Sequence, residues 1–231
     1  MTMRHAIYYA PAHSSPWWTF GAGWLGRDET HDGAPPEFAA PMLPAAEHHH
    51  ITTQARRYGF HATLKAPFRL RPGVTPAELL ARTRSLAQRL RPVPLSPLQV
   101  RRLGPYVVLL TPDHHAAVSD LASACVIELD DLRQPLTPDE LARRQPATLD
   151  ARELELLHRY GYPHVLERFR CHFTLTDPVN EAQAAQVIEA VSSQVALLNA
   201  QVPLTLDRLC IFEEPAPGQP FRRLHDLVLG A

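Results

Sequence analysis

The sequence predicts an α+β fold in which a strand-helix-strand-strand unit occurs twice, on either side of a helical insert. Three observations lead there. The tetrads His61-Ala62-Thr63-Leu64 and His172-Phe173-Thr174-Leu175 each lie on an alternating polar and apolar stretch that runs into a helix with an N-cap signal. Helical periodicity, with several prolines breaking it, dominates the residues between the two copies. The chain has 231 residues, 45% hydrophobic and 20% charged, enough to close a core without disulfide or metal staples. The expected organisation is one bilobal domain over 1–231, with lobe one at about 55–112, the insert at about 113–168 and lobe two at about 169–231. An N-terminal strand and helix at 4–26 join the sheets.

Arg4 to Ala10 is short, apolar and stopped by Pro11, which reads as a buried strand. Ser14-Ser15-Pro16 offers a cap and a first-turn proline to an aromatic helix carrying Trp17, Trp18, Phe20 and Trp24, ending near Gly26. From Arg27 to Gln54, with Pro35, Pro36, Pro41, Pro44 and His48-His49-His50, the expectation is a long loop. Arg57 to Phe68 alternates as a strand, Arg71-Pro72-Gly73 turns, and Thr75-Pro76-Ala77-Glu78 caps a helix reaching Leu90. Strands at Leu98 to Leu103 and Tyr106 to Leu110 meet at Gly104-Pro105. Between His114 and Arg168 helices are expected, broken at Pro135, Pro138 and Pro146. Phe169 to Thr176 then alternates, Asn180 caps a helix to about Asn199, and strands at Leu204 to Phe212 and Phe221 to Val228 end the pattern.

Residues two apart on a strand share a face, so histidine and threonine of each tetrad point together while Ala62, Leu64, Phe173 and Leu175 point into the core. If the two strands meet, two imidazoles and two hydroxyls converge. That set suits phosphate chemistry: one imidazole takes a proton, the other gives one, and two hydroxyls hold non-bridging oxygens. Lys65, the chain's one lysine, extends the same face on strict alternation and would suit a second phosphate. Tyr8, Tyr58, Tyr106 and Arg170 are candidates for the same cleft from neighbouring strands.

With these duplicated H-x-T-hydrophobic tetrads, the chain resembles the two-histidine (2H) phosphoesterase superfamily. More narrowly, RYGFHATLKAPFRL and AIYYAP…WLGRD look like a branch encoded beside carbon-phosphorus lyase genes and described as phosphonate-metabolism proteins. The resemblance implies two ferredoxin-like lobes. It also implies metal-independent hydrolysis of a cyclic phosphodiester, a small cyclic ribose phosphate being the substrate that a phosphonate context suggests. His61 and His172 would then be acid and base, Thr63 and Thr174 phosphate ligands. No cofactor and no metal is expected. Two alternatives stay open: processing or ligation of RNA 2′,3′-cyclic phosphate ends, and a non-catalytic phosphate- or RNA-binding module.

The net charge of −1 gives no global field toward DNA or an anionic membrane. Locally, residues 55–104 hold eleven cationic residues against Glu78 alone. These could attract RNA, but the simpler reading is a wet helix face paired with the acidic insert. A small phosphorylated molecule is therefore the expected partner, with no membrane and no DNA, in a soluble cytoplasmic protein. Gly21-Ala-Gly-Trp-Leu-Gly26 matches G-x-G-x-x-G without a preceding strand, so it is not read as a dinucleotide site. His48 to His50 lacks partners at metal-ligand spacing, and Cys171 faces away from His172 into the core.

Overall fold

The computed structural model describes residues 3–31, 33–38, 43–95, 97–111, 115–144 and 148–230. Pro41, His114 and Pro146 of the readings above lie outside them. The chain begins with β1 (Arg4–Tyr9) and α1 (Pro16–Leu25), followed by α2 (Ala45–Ile51) and α3 (Thr53–Tyr58). Next come β2 (Ala62–Phe68), α4 (Pro76–Arg89), β3 (Val93–Pro94), β4 (Gln99–Leu103) and β5 (Tyr106–Leu110). The insert holds α5 (Ala116–Glu128), α6 (Pro138–Arg144) and α7 (Ala151–Tyr160), with 3-10 turns at Asp130–Leu132 and Leu166–Arg168. The last part is β6 (His172–Thr174), α8 (Glu181–Gln201), β7 (Thr205–Leu206), β8 (Arg208–Glu214) and β9 (Arg222–Val228).

The cap signals act as the local sequence dictates. Ser15 accepts from Trp18 N, Thr75 from Glu78 N and Asn180 from Gln183 N, while Gly26 ends α1 in the left-handed region at φ 64°. The expected loop at 27–54 is corrected: α2 and the first two residues of α3 lie inside it. Pro44 precedes α2 as a helix start, and Ala45-Ala46-Glu47 supports its first turn despite the histidine run.

Seven strands form one antiparallel sheet in the order β4-β5-β6-β2-β1-β8-β9, and β3 pairs with β7. The architecture is α+β. Helix α4, which follows β2, packs on β8 and β9, whereas α8, which follows β6, packs on β4 and β5. Each helix thus packs on strands from the other of the stretches 55–112 and 169–231, and the two motif strands pair directly with each other. One face of the sheet, with Ile7, Tyr9, Leu64, Phe173 and Leu209, carries the main core under α1, α4 and α8. The opposite face of β1 and β8 carries Ala6, Tyr8, Ala10, Cys210 and Phe212, closed by Phe221.

The insert is fastened to the basic stretch through ion pairs Lys65–Asp130, Arg69–Glu140, Arg82–Asp131 and Arg89–Glu128. This is the local charge balance that a near-neutral chain with a basic segment calls for. Among the described residues no helix is long and apolar enough to cross a membrane.

Candidate active site

β2 pairs with β6 through Ala62 opposite Phe173, both fully buried on the core side. Continuing that antiparallel register by one residue each way sets His61 against Thr174 and Thr63 against His172, with backbones about 5 Å apart. The four motif side chains therefore share the face away from the core. β1 adds Tyr8 opposite Thr63, and β5 adds Val108 opposite Thr174 and Leu110 opposite His172. Two residues before Val108, Tyr106 lies on the same face by alternation. A cavity of about 710 Å³ opens over this floor, lined by all four motif residues and by Tyr8, Tyr58 and Tyr106. Its size is that of a small-molecule site.

The two copies of the motif orient their imidazoles in the same way. His61 Nδ1 donates to the Gly59 carbonyl at 2.9 Å, and His172 Nδ1 donates to the Arg170 carbonyl at 2.8 Å, in each case two residues back. A carbonyl only accepts, so each neutral ring carries its proton on Nδ1 and leaves Nε2 with a lone pair. Thr63 Oγ1 lies 3.2 Å from His61 Nε2 and can donate to it. Tyr8 stacks on His61 with centroids 3.8 Å apart, holding the ring against a buried wall. Burial pushes the His61 pKa down to about 4, with the Gly59 carbonyl raising it and the charge of His172 lowering it further. His172 is lowered too, by burial first, against the raising bond to the Arg170 carbonyl, and by His164. At neutral pH both are bases.

Two expected site residues do not line the cavity. The Lys65 ammonium is buried and donates to the Val126 carbonyl and to Asp130 Oδ1, each at 3.0 Å. The reason is a register slip: Tyr8 faces Thr63 but Ile7 faces Lys65, so Leu64 is passed over and strict alternation ends there. Arg170 is exposed, and what it gives the site is its carbonyl.

Several lining residues carried no readable signal. Arg143, Arg144, Tyr162 and His164 come from the insert, where the sequence pattern says only that helices and turns occur. Arg4 was accessible to reasoning, since Arg4, Ala6 and Tyr8 share a strand face. Asp177 lines the cavity but is spent on α3, accepting from Gln54 N and Ala55 N.

Elsewhere, His13, Asp28 and His31 offer three ligand atoms within 4.8 Å of one another. Gly33 N donates to His31 Nδ1 at 2.9 Å, which puts the proton of the neutral ring on Nε2, directed at Asp28 Oδ2. As oriented, the trio is a hydrogen-bonded clip rather than a ligand set. The G-x-G-x-x-G run lies in α1 and its cap: a Cβ at Gly21 would sit 1.9 Å from Phe60 Cγ, so this glycine serves close packing.

Residues 63–222 match the family described as "Protein of unknown function (DUF1045)". The chain belongs to the DUF1045 family. This DUF1045 chain is also 39% identical over 221 residues to a Janthinobacterium sp. (strain Marseille) protein named ribose 1,5-bisphosphate phosphokinase PhnN, covering 94% of the chain and 49% of that protein. It is 34% identical over 220 residues to a Laribacter hongkongensis (strain HLHK9) protein of the same name, covering 95% and 50%. The chain spans about half the length of these curated relatives. Their name describes a kinase, which overturns the expectation of a phosphodiesterase hydrolysing a cyclic ester. RNA-end processing and a non-catalytic phosphate- or RNA-binding module do not fit that name either.

Proposed function

We propose that the DUF1045 chain is an enzyme unit whose cavity binds a phosphorylated ribose and whose two histidines move protons at the substrate's phosphoryl group. The observation that carries this reading is the pair of imidazoles on adjacent strands, each pinned through Nδ1 to a backbone carbonyl and each presenting a basic Nε2 toward the same cavity. His61 and His172 are the proton-transfer groups, and Thr63 and Thr174 donate to phosphoryl oxygens. Tyr8 holds His61 in place, and Tyr58 and Tyr106 wall the cavity. The relatives' name supplies the substrate class, a ribose phosphate, in keeping with the phosphonate-metabolism setting that the sequence resemblance implies.

Kinship with the two-histidine superfamily is proposed for the histidine and threonine geometry alone. The nucleotide side of a kinase reaction is not assigned to this chain. It has no G-x-x-x-x-G-K-[ST] run, and its one lysine is followed by Ala66 and buried in an ion pair.

The test is binding of ribose 5-phosphate followed by calorimetry and by phosphorus-31 NMR, with ribose as control. The sugar phosphate should bind and its resonance should shift. Replacing both Thr63 and Thr174 by Val should weaken binding by on the order of tenfold or more, since each lost donor leaves phosphate oxygens unsatisfied. Absence of binding by the unaltered protein, or full affinity in the double variant, would refute the assignment.

A further inference from the structure

The cavity also takes polar lining residues from the insert, among them Arg144 and Tyr162. Arg144 stands at the end of α6 and lines both the large cavity and the small pocket beside it. One guanidinium nitrogen donates to the Gly161 carbonyl at 2.9 Å. Among the described residues Arg144 makes no ion pair. The carboxylate one turn earlier, Glu140, is engaged by both terminal nitrogens of Arg69. Burial lowers the Arg144 pKa and Arg4 nearby adds to that, against a raising influence of Glu140, so the group is a half-buried cation and the carboxylate acting on it is already committed to Arg69. Leaving such a charge unpaired is costly, and a phosphate dianion matches the guanidinium fork in charge and shape.

A neighbouring hydroxyl fits the same ligand. Arg144 bonds the carbonyl of Gly161, and the next residue, Tyr162, lines the cavity near enough for Arg144 to act on its ionisation. The hydroxyl of Tyr162 lines the cavity and makes no hydrogen bond among the described residues. The carboxylate on the cavity wall, Asp177, is already used as a helix cap.

We infer that Arg144, together with the hydroxyl of Tyr162, forms a second phosphate subsite, so that the cavity selects a ribose carrying two phosphates. One phosphate meets the histidines and threonines on the sheet. The other meets the insert. This rests on the ribose-phosphate reading above and makes the insert its specificity element.

Calorimetric titration with ribose 1,5-bisphosphate and with ribose 5-phosphate separates the two ideas. The unaltered protein should prefer the bisphosphate by on the order of tenfold or more, the scale of one charge-assisted bidentate contact. Arg144→Ala should bring the ratio of the two affinities near unity, Arg144→Lys should restore part of it, and Tyr162→Phe should reduce it. Circular dichroism confirms that each variant is folded. Equal affinities in the unaltered protein, or an undiminished ratio in Arg144→Ala, would overturn the subsite while leaving the ribose-phosphate reading intact. Failure to bind either sugar phosphate would overturn both.

Discussion

His61 links proton chemistry to ligand and to fold through one number. Burial pushes its pKa down to about 4, against an ordinary 6.5, by disfavouring the imidazolium. A phosphate dianion beside Nε2 favours the charged ring, so the pKa rises on binding and a proton is taken up. Calorimetry near pH 6 in two buffers of different ionisation enthalpy should show net uptake of up to about one proton per histidine engaged, reduced in His61→Gln. Zero uptake would contradict placement of the phosphate at Nε2. The same shift acts on stability. Between pH 4 and 6.5 the unfolded chain holds the extra proton, so this contribution is complete above 6.5 and is lost as pH falls toward 4. Urea midpoints measured across that window should slope less in His61→Gln than in the unaltered protein. At this scale the sequence showed the four motif residues, because two-residue alternation is a property of any strand. It did not show Lys65, because one passed-over residue, Leu64, ends the alternation without any mark in composition.

Among the elements, α1 shows how a motif can be structural. Gly21 and Gly23 sit inside a helix, where glycine is unfavourable by itself. The reason is proximity: Phe60 occupies the place of a Gly21 side chain and stacks on Phe173 with centroids 4.9 Å apart, which holds the start of β2 against β6. Gly21→Ala should therefore destabilise by roughly 1–3 kcal/mol, despite its better helix propensity, and should weaken sugar-phosphate binding as the motif strands shift. A urea midpoint equal to or above that of the unaltered protein would show that Phe60 gives way freely. Helix starts were legible because caps are local: Ser15, Thr75 and Asn180 each make the bond their sequence implies. The strand order was not. Which strands pair depends on long-range packing of α4 and α8, and no residue near His61 or His172 encodes that the two tetrads lie side by side. The short helices α2 and α3 were hidden by the prolines and histidines around them.

Across the whole molecule, Lys65–Asp130 is the one of the four ion pairs fastening the insert that starts on a sheet strand, so the proposed subsite depends on a residue, Lys65, that does not line the cavity. Lys65 reaches from β2 to the Val126 carbonyl on α5 and to Asp130, and Asp130 is held in turn by Arg133 at 2.8 Å. Lys65→Ala removes a buried cation, leaves the Val126 carbonyl without this donor and opens space beside the small pocket. Asp130 keeps Arg133, so the cost should fall at the low end for a broken buried pair, about 3 kcal/mol. Lys65→Met refills the stem's volume and should cost less. The location of the loss can be read directly, because Trp17, Trp18 and Trp24 all lie in α1. Tryptophan fluorescence follows α1 on the sheet, while far-ultraviolet circular dichroism also follows the insert helices. If Lys65 fastens the insert, the two signals should coincide in the unaltered protein and separate in Lys65→Ala, with helix lost at lower urea than fluorescence changes. Coincident transitions in the variant, merely moved to lower urea, would mean that insert and sheet unfold as one unit and that the ion pair adds stability without acting as their joint.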